Sequence, residues 1–226
     1  MDFIITADGS KTLYHPKVGE HYHSKHGAVQ ESKHVFVKMG LQYHLERRQG
    51  VEQNKKSVTI LEVGFGTGLN FLLSADYCIQ QQMELIYTGI EAYPLPLEII
   101  RDTDYGKSVS PEVWQAFLRA YPEASIEPQL LNPSIELGIA HCRVNDFETL
   151  QRFDVLYFDA FAAIHQPEMW AMETLAHVCQ YLKVGGIFVT YAITGDLKRT
   201  MKALGFQIEK VPGAPGKREM LRAIKL

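Results

Sequence analysis

The sequence predicts an α/β fold, a mostly parallel sheet of seven strands covered by helices, and three observations carry that prediction. From Val58 onward, strand-like apolar runs alternate with helix-like segments. A turn with glycines at 64, 66 and 68 joins the first strand to its helix. The chain ends in a strand, a Gly/Pro-rich turn and a strand, which reads as an antiparallel hairpin closing the sheet.

The elements follow in order. Val58–Val63 is the first strand, and its helix runs over Leu69–Ile79. A second strand covers Glu84–Glu91. Pro94 and Pro96 open a helix near Leu97–Arg101, and Pro111 opens another near Glu112–Ala120, since proline is tolerated in a first helical turn. Ile135–His141 and Asp154–Phe158 are the third and fourth strands. Pro167 opens a longer helix toward Leu182, and Gly185-Gly186 breaks the pattern before a fifth strand, Ile187–Tyr191. Gly205–Val211 and Glu219–Leu226 flank the turn from Pro212 to Gly216. Residues 1–50 read as an appended segment, a small β-hairpin plus a helix near His34–Arg47. Residues 51–226 form the main domain.

A chain of 226 residues is large enough for one domain with a sizeable core. Its 46% apolar and 22% charged content is ordinary for a globular protein. No uncharged apolar run reaches about 18 residues, which excludes a membrane span, and Met1–Ser10 lacks the form of a secretory signal. Cys78, Cys142 and Cys179 are scattered, with no Cys-x-x-Cys pair, so neither a zinc site nor a disulfide framework is indicated. The expected compartment is a reducing cytoplasm. His15, His21, His23 and His26 match no metal-ligand spacing and read as surface or RNA-facing groups. The net charge of −3 hides an asymmetry. From Lys198 onward, Lys198, Arg199, Lys202, Lys210, Lys217, Arg218, Arg222 and Lys225 face only Glu209 and Glu219. A basic tail on an acidic body is either a solvated surface or a hold for an RNA backbone.

The run Glu62-Val63-Gly64-Phe65-Gly66-Thr67-Gly68-Leu69-Asn70 is the most specific signal. A glycine-rich strand–helix turn lets the backbone approach a ligand, and packing alone rarely asks for three spaced glycines. A dinucleotide fingerprint needs Gly-x-Gly-x-x-Gly, and Leu69 stands at the third glycine position. That disfavours a dehydrogenase. An acid directly before the loop suits a cationic ligand better than a pyrophosphate. S-adenosylmethionine carries a sulfonium, an ammonium and no phosphate. Glu62 with Gly64, Phe65, Gly66 and Gly68 is therefore the candidate cofactor site, with Asn70 at the methionine end.

Ligands of such sheets sit outside the carboxyl ends of the strands. Glu91 ends the second strand, where a carboxylate accepts from both ribose hydroxyls or caps the next helix. Asp146 follows the third strand and takes the adenine amino group, with Phe147 beside the ring, or acts as a helix cap. Asp159 ends the apolar strand Val155–Phe158. A carboxylate there is costly unless used or paired, so Asp159 is the catalytic candidate, and its alternative is an aspartate that only closes a loop. Near a bound cofactor's methyl group, it orients an attacking amine and accepts its proton.

Taken together, these segments resemble the methyltransferase family that completes 5-methylaminomethyl-2-thiouridine at the tRNA wobble position. The resemblance rests on the Glu62–Asn70 run, on Glu91 with Pro94-Leu95, and on Asp159-Ala160-Phe161 with Gln166-Pro167-Glu168-Met169-Trp170. Gly216-Lys217-Arg218-Glu219-Met220-Leu221, Glu20-His21-Tyr22-His23-Ser24 and Glu31-Ser32-Lys33-His34-Val35-Phe36 extend it over most of the chain. It implies a class I, Rossmann-like fold that uses S-adenosylmethionine, no metal, and tRNA as substrate. The methyl acceptor would be the exocyclic amine of 5-aminomethyl-2-thiouridine. It assigns Tyr22, His23, Ser24 and Phe161 to the uridine side, and Lys217 and Arg218 to tRNA phosphates. It also implies a stand-alone form without the flavin-dependent oxidase to which this domain is often fused, leaving a separate oxidase or a wobble-uridine modification complex as partner. One departure stands out: Ala163 and His165 replace the proline and lysine usual after Asp-Ala-Phe-Ala. Two other readings remain at this stage, a small-molecule amine methyl or aminopropyl transferase and a non-catalytic tRNA- or cofactor-binding subunit.

Overall fold

The computed structural model describes residues 2–48 and 56–226. Its main sheet has eight strands. In chain order these are β4 (Ser57–Val63), β5 (Glu84–Ile90), β6 (Gln129–Asn132), β7 (Ile135–Ala140), β8 (Phe153–Phe158), β9 (Leu182–Thr190), β10 (Phe206–Pro212) and β11 (Glu219–Lys225). The spatial order is β10-β11-β9-β8-β4-β5-β7-β6. The central strands β9, β8, β4, β5 and β7 run parallel, and β6, β10 and β11 pair antiparallel at the two edges. The order reverses at β4, so β4, β5 and β8 open their carboxyl ends into one crevice.

The central strands are apolar on both faces because both are covered. Ile60, Tyr87, Val155, Tyr157 and Val189 point to one side, where they meet α3 (Leu69–Gln80) and α5 (Pro111–Ala120). Leu61, Val63, Leu156, Phe158 and Phe188 point to the other, against α6 (Met172–Cys179) and α7 (Gly195–Ala203). Among the described residues no helix is long and apolar enough to cross a membrane.

Ahead of the main sheet lie three short antiparallel strands, β1 (Phe3–Ile5), β2 (Lys11–His15) and β3 (Glu20–His21). A continuous helical segment follows: α1 (Ala28–Ser32), a π-helical stretch (Lys33–Gln42) and α2 (Tyr43–Arg48). It is longer than the helix expected near His34–Arg47. Its Phe36 and Leu41 are buried in the same cluster as Tyr157 and Val189. The boundary expected at residue 50 lies outside the described residues.

Three local expectations differ. The eighth strand, β6, is a four-residue edge with a register shift between Leu130 and Asn132, set between Pro128 and Pro133. Leu130 is exposed there, so no apolar alternation marks the strand. Gly185-Gly186 does not precede the fifth strand but lies within it. The register against β8 shifts between Phe153 and Val155, and Gly185 takes φ +77° in that bulge. The helix expected from Pro167 breaks at Ala171, which is extended (φ −64°, ψ 150°). A short 3-10 turn, Pro167–Trp170, stands before it, held by the Trp170 indole N–H donating to the Phe161 carbonyl (2.8 Å).

The first helical segment reaches the sheet at Gly40. A Cβ there would lie 2.9 Å from Val189 Cγ2 and 3.0 Å from Tyr157 Cε1. Gly40→Val therefore overpacks this contact and lowers the urea midpoint, at a cost of about 1–3 kcal/mol. A helix free of the sheet would instead be stabilised by losing a mid-helix glycine, so a raised midpoint for Gly40→Ala would reject the packing.

Candidate active site

A cavity of about 1140 Å³ opens at the carboxyl ends of β4, β5 and β8. That is somewhat above the volume of an ordinary small-ligand pocket, about 300–1,000 Å³. The glycine turn forms its floor. Gly64 and Phe65 donate their backbone N–H groups to the Ile90 carbonyl at 3.0 and 3.2 Å. Gly64 sits at φ +84°, where a Cβ would lie 2.5 Å from the Asp159 carbonyl oxygen. The turn and the loop after β8 are thus in backbone contact, which only glycine permits. Glu91, just past β5, accepts from Gly66 N–H on Oε2 and from Tyr93 N–H on Oε1, both at 2.9 Å. Each oxygen keeps a lone pair for a ligand hydroxyl.

Beneath the turn, Asn70 bridges two carboxyl groups. Its Nδ2 donates to Glu62 Oε1 at 2.7 Å and to Asp159 Oδ2 at 2.8 Å. Tyr87 O–H donates to Glu62 Oε2 at 2.8 Å. Burial, reinforced by Asp159, drives the Glu62 carboxyl well above the ordinary carboxylate range, while the Asn70 and Tyr87 hydrogen bonds pull the other way. Asp159 is pushed up to about 8, first by burial and then by Glu31; the Asn70 hydrogen bond and Lys217 pull the other way.

The N-terminal segment roofs the cavity. Tyr22 lies over Gly66, 3.0 Å from where a Cβ would stand, and meets Phe161 edge-on at 5.2 Å. Glu20 Oε2 accepts from Ala162 N–H (2.8 Å), which pins the loop after Asp159. His23 Nε2 hydrogen-bonds Thr67 Oγ1 at 2.9 Å, and burial pushes its imidazole down to about 4, so it is neutral. Ser24 N–H donates to Glu31 Oε2 (2.9 Å), and Lys217 Nζ pairs with Glu31 Oε1 (2.7 Å).

Of the residues singled out in the sequence, Tyr22, His23, Ser24, Gly64, Phe65, Gly66, Glu91, Asp146, Asp159, Phe161 and Lys217 line this one cavity. Five do not. Glu62 and Asn70 lie under the floor, hydrogen-bonded to each other and to Tyr87 and Asp159, and Asn70 Oδ1 is buried without a hydrogen-bond partner. Gly68 is the left-handed turn that starts α3, with Phe117 and Phe65 against it. Phe147 is packed edge-on against Tyr181 in the second apolar cluster. Arg218 is exposed outside the lining. Lys217, expected on phosphates, instead points inward to Glu31 and lies 3.9 Å from the Tyr191 ring centroid.

Glu20, Glu31, His15 and Tyr191 also line the cavity, and the residue-by-residue reading gave them no role. Glu20 and Glu31 stand in the blocks that carried the family resemblance, but nothing in their spacing marks them as cavity residues. Among the described residues no group of three or more His, Cys, Asp or Glu is placed to hold a metal ion.

The lining suits a cation with hydroxyl and amino donors. Its acids Glu20, Glu31, Glu91, Asp146, Asp159 and Glu168 outnumber its lysines and arginine, Lys17, Lys25, Arg143 and Lys217, and a pyrophosphate would meet them unfavourably. The family model described as S-adenosyl-L-methionine-dependent methyltransferase matches residues 109–226. The chain belongs to that family. Its cofactor is S-adenosylmethionine. As a methyltransferase it is 28% identical to the tRNA 5-methylaminomethyl-2-thiouridine biosynthesis bifunctional protein MnmC of Magnetococcus marinus, over 98% of this chain and 34% of that protein. It is 31% identical to the protein of the same name from Marinomonas, over 88% of this chain and 30% of that one. The chain thus spans about a third of the length of these curated relatives. Its fold is similar to the crystal structure of MNMC2 from Aquifex aeolicus, with TM-score 0.74 and 24% identity over 99% of this chain and 70% of that one. It is also similar to magnesium protoporphyrin IX methyltransferase from Synechocystis with bound S-adenosylmethionine, with TM-score 0.51 and 12% identity over 88% of this chain and 81% of that one. These findings bear out the family resemblance, the class I fold and the cofactor expected from the glycine turn.

The raised Asp159 value has a stability consequence. Unfolded, this group ionises near 3.8; folded, near 8. Between those values the unfolded chain loses the proton and the folded one keeps it, so stability is highest below about pH 4 on this account and declines toward pH 8. Asp159→Asn removes that decline. The melting temperature of the variant should rise relative to the ligand-free parent between pH 5 and pH 8, as scanning calorimetry would read; a constant gap would place Asp159 at an ordinary carboxylate value.

Proposed function

We propose that this methyltransferase acts on tRNA, moving a methyl group to the exocyclic amine of 5-aminomethyl-2-thiouridine and so forming 5-methylaminomethyl-2-thiouridine. The observation that carries the reading is the extent of the similarity to the MnmC protein of Magnetococcus marinus. It covers 98% of the chain, and so takes in the N-terminal roof on the substrate side as well as the cofactor turn.

The bound cofactor supplies an electrophilic methyl group on a sulfonium. The protein supplies placement and proton control. A protonated amine has no lone pair, so the acceptor must give up a proton before it attacks. Asp159 takes that proton on its carboxylate. It is held for the task by Asn70 on Oδ2 and by its own N–H to the Val63 carbonyl (2.9 Å). Glu91 holds the ribose, Asp146 the adenine amino group, and the backbone of Gly64, Phe65 and Gly66 the body of the cofactor. Glu62 and Asn70 serve from below, fixing the turn and Asp159. Tyr22, His23, Ser24 and Phe161 enclose the uridine. The tRNA phosphates fall to exposed basic residues of the tail such as Arg218. A cytoplasmic setting and a separate oxidase that prepares the aminomethyl group complete the reading.

The test is transfer of labelled methyl from S-adenosylmethionine to tRNA from cells lacking this activity, followed by mass analysis of nucleosides. One methyl gained on 5-aminomethyl-2-thiouridine is the expected result. Asp159→Asn should lower kcat about 10²–10⁴-fold, the usual contribution of a general base. The kcat/KM of the parent should rise with pH through about 8, where Asp159 in the free enzyme becomes ionised. Cofactor binding with transfer only to small amines would move the protein to the amine-transferase class.

A further inference from the structure

Lys217 stands in an unexpected place. Its chain neighbour Arg218 is exposed, whereas Lys217 turns into the cavity that holds Asp159. Two contacts hold it there. Nζ pairs with Glu31 Oε1 at 2.7 Å, and Glu31 is itself 7% exposed. The same ammonium lies 3.9 Å from the Tyr191 ring centroid, a cation–π distance. Tyr191 O–H donates to the Ala160 carbonyl at 2.9 Å, next to Asp159 in the chain. Two residues further along, Ala162 N–H donates to Glu20. The loop that carries Asp159 is therefore braced by the roof and by the lysine's own platform.

The charges in this space are unevenly matched. Asp159 is faced by Glu20 on β3, Glu31 on α1, Glu62 on β4 and Lys217 before β11, with the phenols of Tyr87, Tyr105 and Tyr191 around them. Lys217 is the basic member of that set. A site so rich in carboxyl groups holds the proton it should take from the acceptor, unless a fixed positive charge offsets the crowding.

We propose that Lys217 is a positioning residue for methyl transfer, not a phosphate ligand: clamped between Glu31 and Tyr191, it holds its charge beside Asp159 so that Asp159 can accept the amine's proton. The inference rests on the reading of Asp159 as the base. The proton passes from the acceptor's ammonium to the Asp159 carboxylate; Lys217 neither gives nor takes it. Glu31 has a double part, since it anchors the lysine and opposes the ionisation of Asp159.

The decisive measurement is the titration of the Asp159 carboxyl in the ¹³C-labelled, substrate-free enzyme, assigned by its loss in Asp159→Asn. Lys217→Met should move the midpoint up by about one pH unit, and Glu31→Gln should move it down by a similar amount. Lys217→Arg should leave it near the parent value. The double variant, which leaves no stranded carboxylate, should return close to the parent. If Lys217→Met does not fold, the downward movement of Glu31→Gln and its reversal in the double variant carry the test alone. In the pH profile of kcat/KM, Lys217→Met should lose about tenfold at pH 7.5 and recover at high pH. Its salt slope for tRNA binding should be unchanged. Midpoints that stay put in all variants would overturn the proposal. So would a Lys217→Met salt slope reduced by about 1 with no movement in pH, the mark of a lost phosphate contact. The titration needs no tRNA, so its failure is distinguishable from a failure of the methyl-transfer reading, which would show as absent product.

Discussion

The amide of Asn70, wedged between two buried carboxyl groups, is the interaction on which the site depends. Glu62 and Asp159 end neighbouring parallel strands and would repel each other if both were ionised. Asn70 gives one N–H to each, and Tyr87 satisfies the far oxygen of Glu62. Burial then raises the Glu62 carboxyl well above its ordinary range and lifts Asp159 to about 8. The arrangement needs α3 to begin directly after Gly68, whose left-handed conformation turns the chain into the helix (φ +77°) and brings Asn70 under the loop. The glycine turn thus does two jobs. Its upper side admits a ligand, and its lower side sets the geometry of the base.

The N-terminal segment converts an open sheet end into an enclosed chamber. Three polar contacts, long in sequence separation, tie it to the body: Glu20 to Ala162, His23 to Thr67, Glu31 to Lys217. Covering the site lowers the effective dielectric inside it, which strengthens each charge effect there. The same burial that raises Asp159 lowers His23. One physical cause therefore gives the chamber a carboxyl group that titrates near pH 8 and a histidine that stays neutral as a hydrogen-bonding partner of Thr67.

Much of this was legible in the chain. The alternation of Ile60 with Leu61 and of Val155 with Leu156 reflects a sheet buried on both faces, and the resulting apolar runs are unmistakable strands. Two of the three glycines, Gly64 and Gly66, located the floor of the cavity. Glu91, Asp146 and Asp159 were found because ligands of such sheets meet the ends of the parallel strands. The signals failed where local pattern and tertiary need part company. Leu130 is exposed on a short edge strand, so no periodicity announces β6. Gly185-Gly186 reads as a chain break but makes a bulge inside β9. Phe147 looks like a ring partner for adenine beside Asp146, yet its side chain belongs to the apolar layer with Tyr181.

By itself, then, the sequence determined the sheet, the order of its central elements, the glycine floor and the acids at the strand ends. Each follows from short-range rules: hydrophobic period, backbone freedom at glycine, and the position of a residue at the end of its own strand. Tertiary structure decided which side chains enter the chamber and what charge they carry there. That Lys217 turns inward while Arg218 stays exposed depends on Glu31 and Tyr191, which come from distant parts of the chain. That the Glu62 and Asp159 carboxyls both ionise above their ordinary range depends on burial and on the acids gathered around them, and one shared amide holds the two together. Protonation is a property of surroundings assembled through space, and no local pattern of residues encodes it.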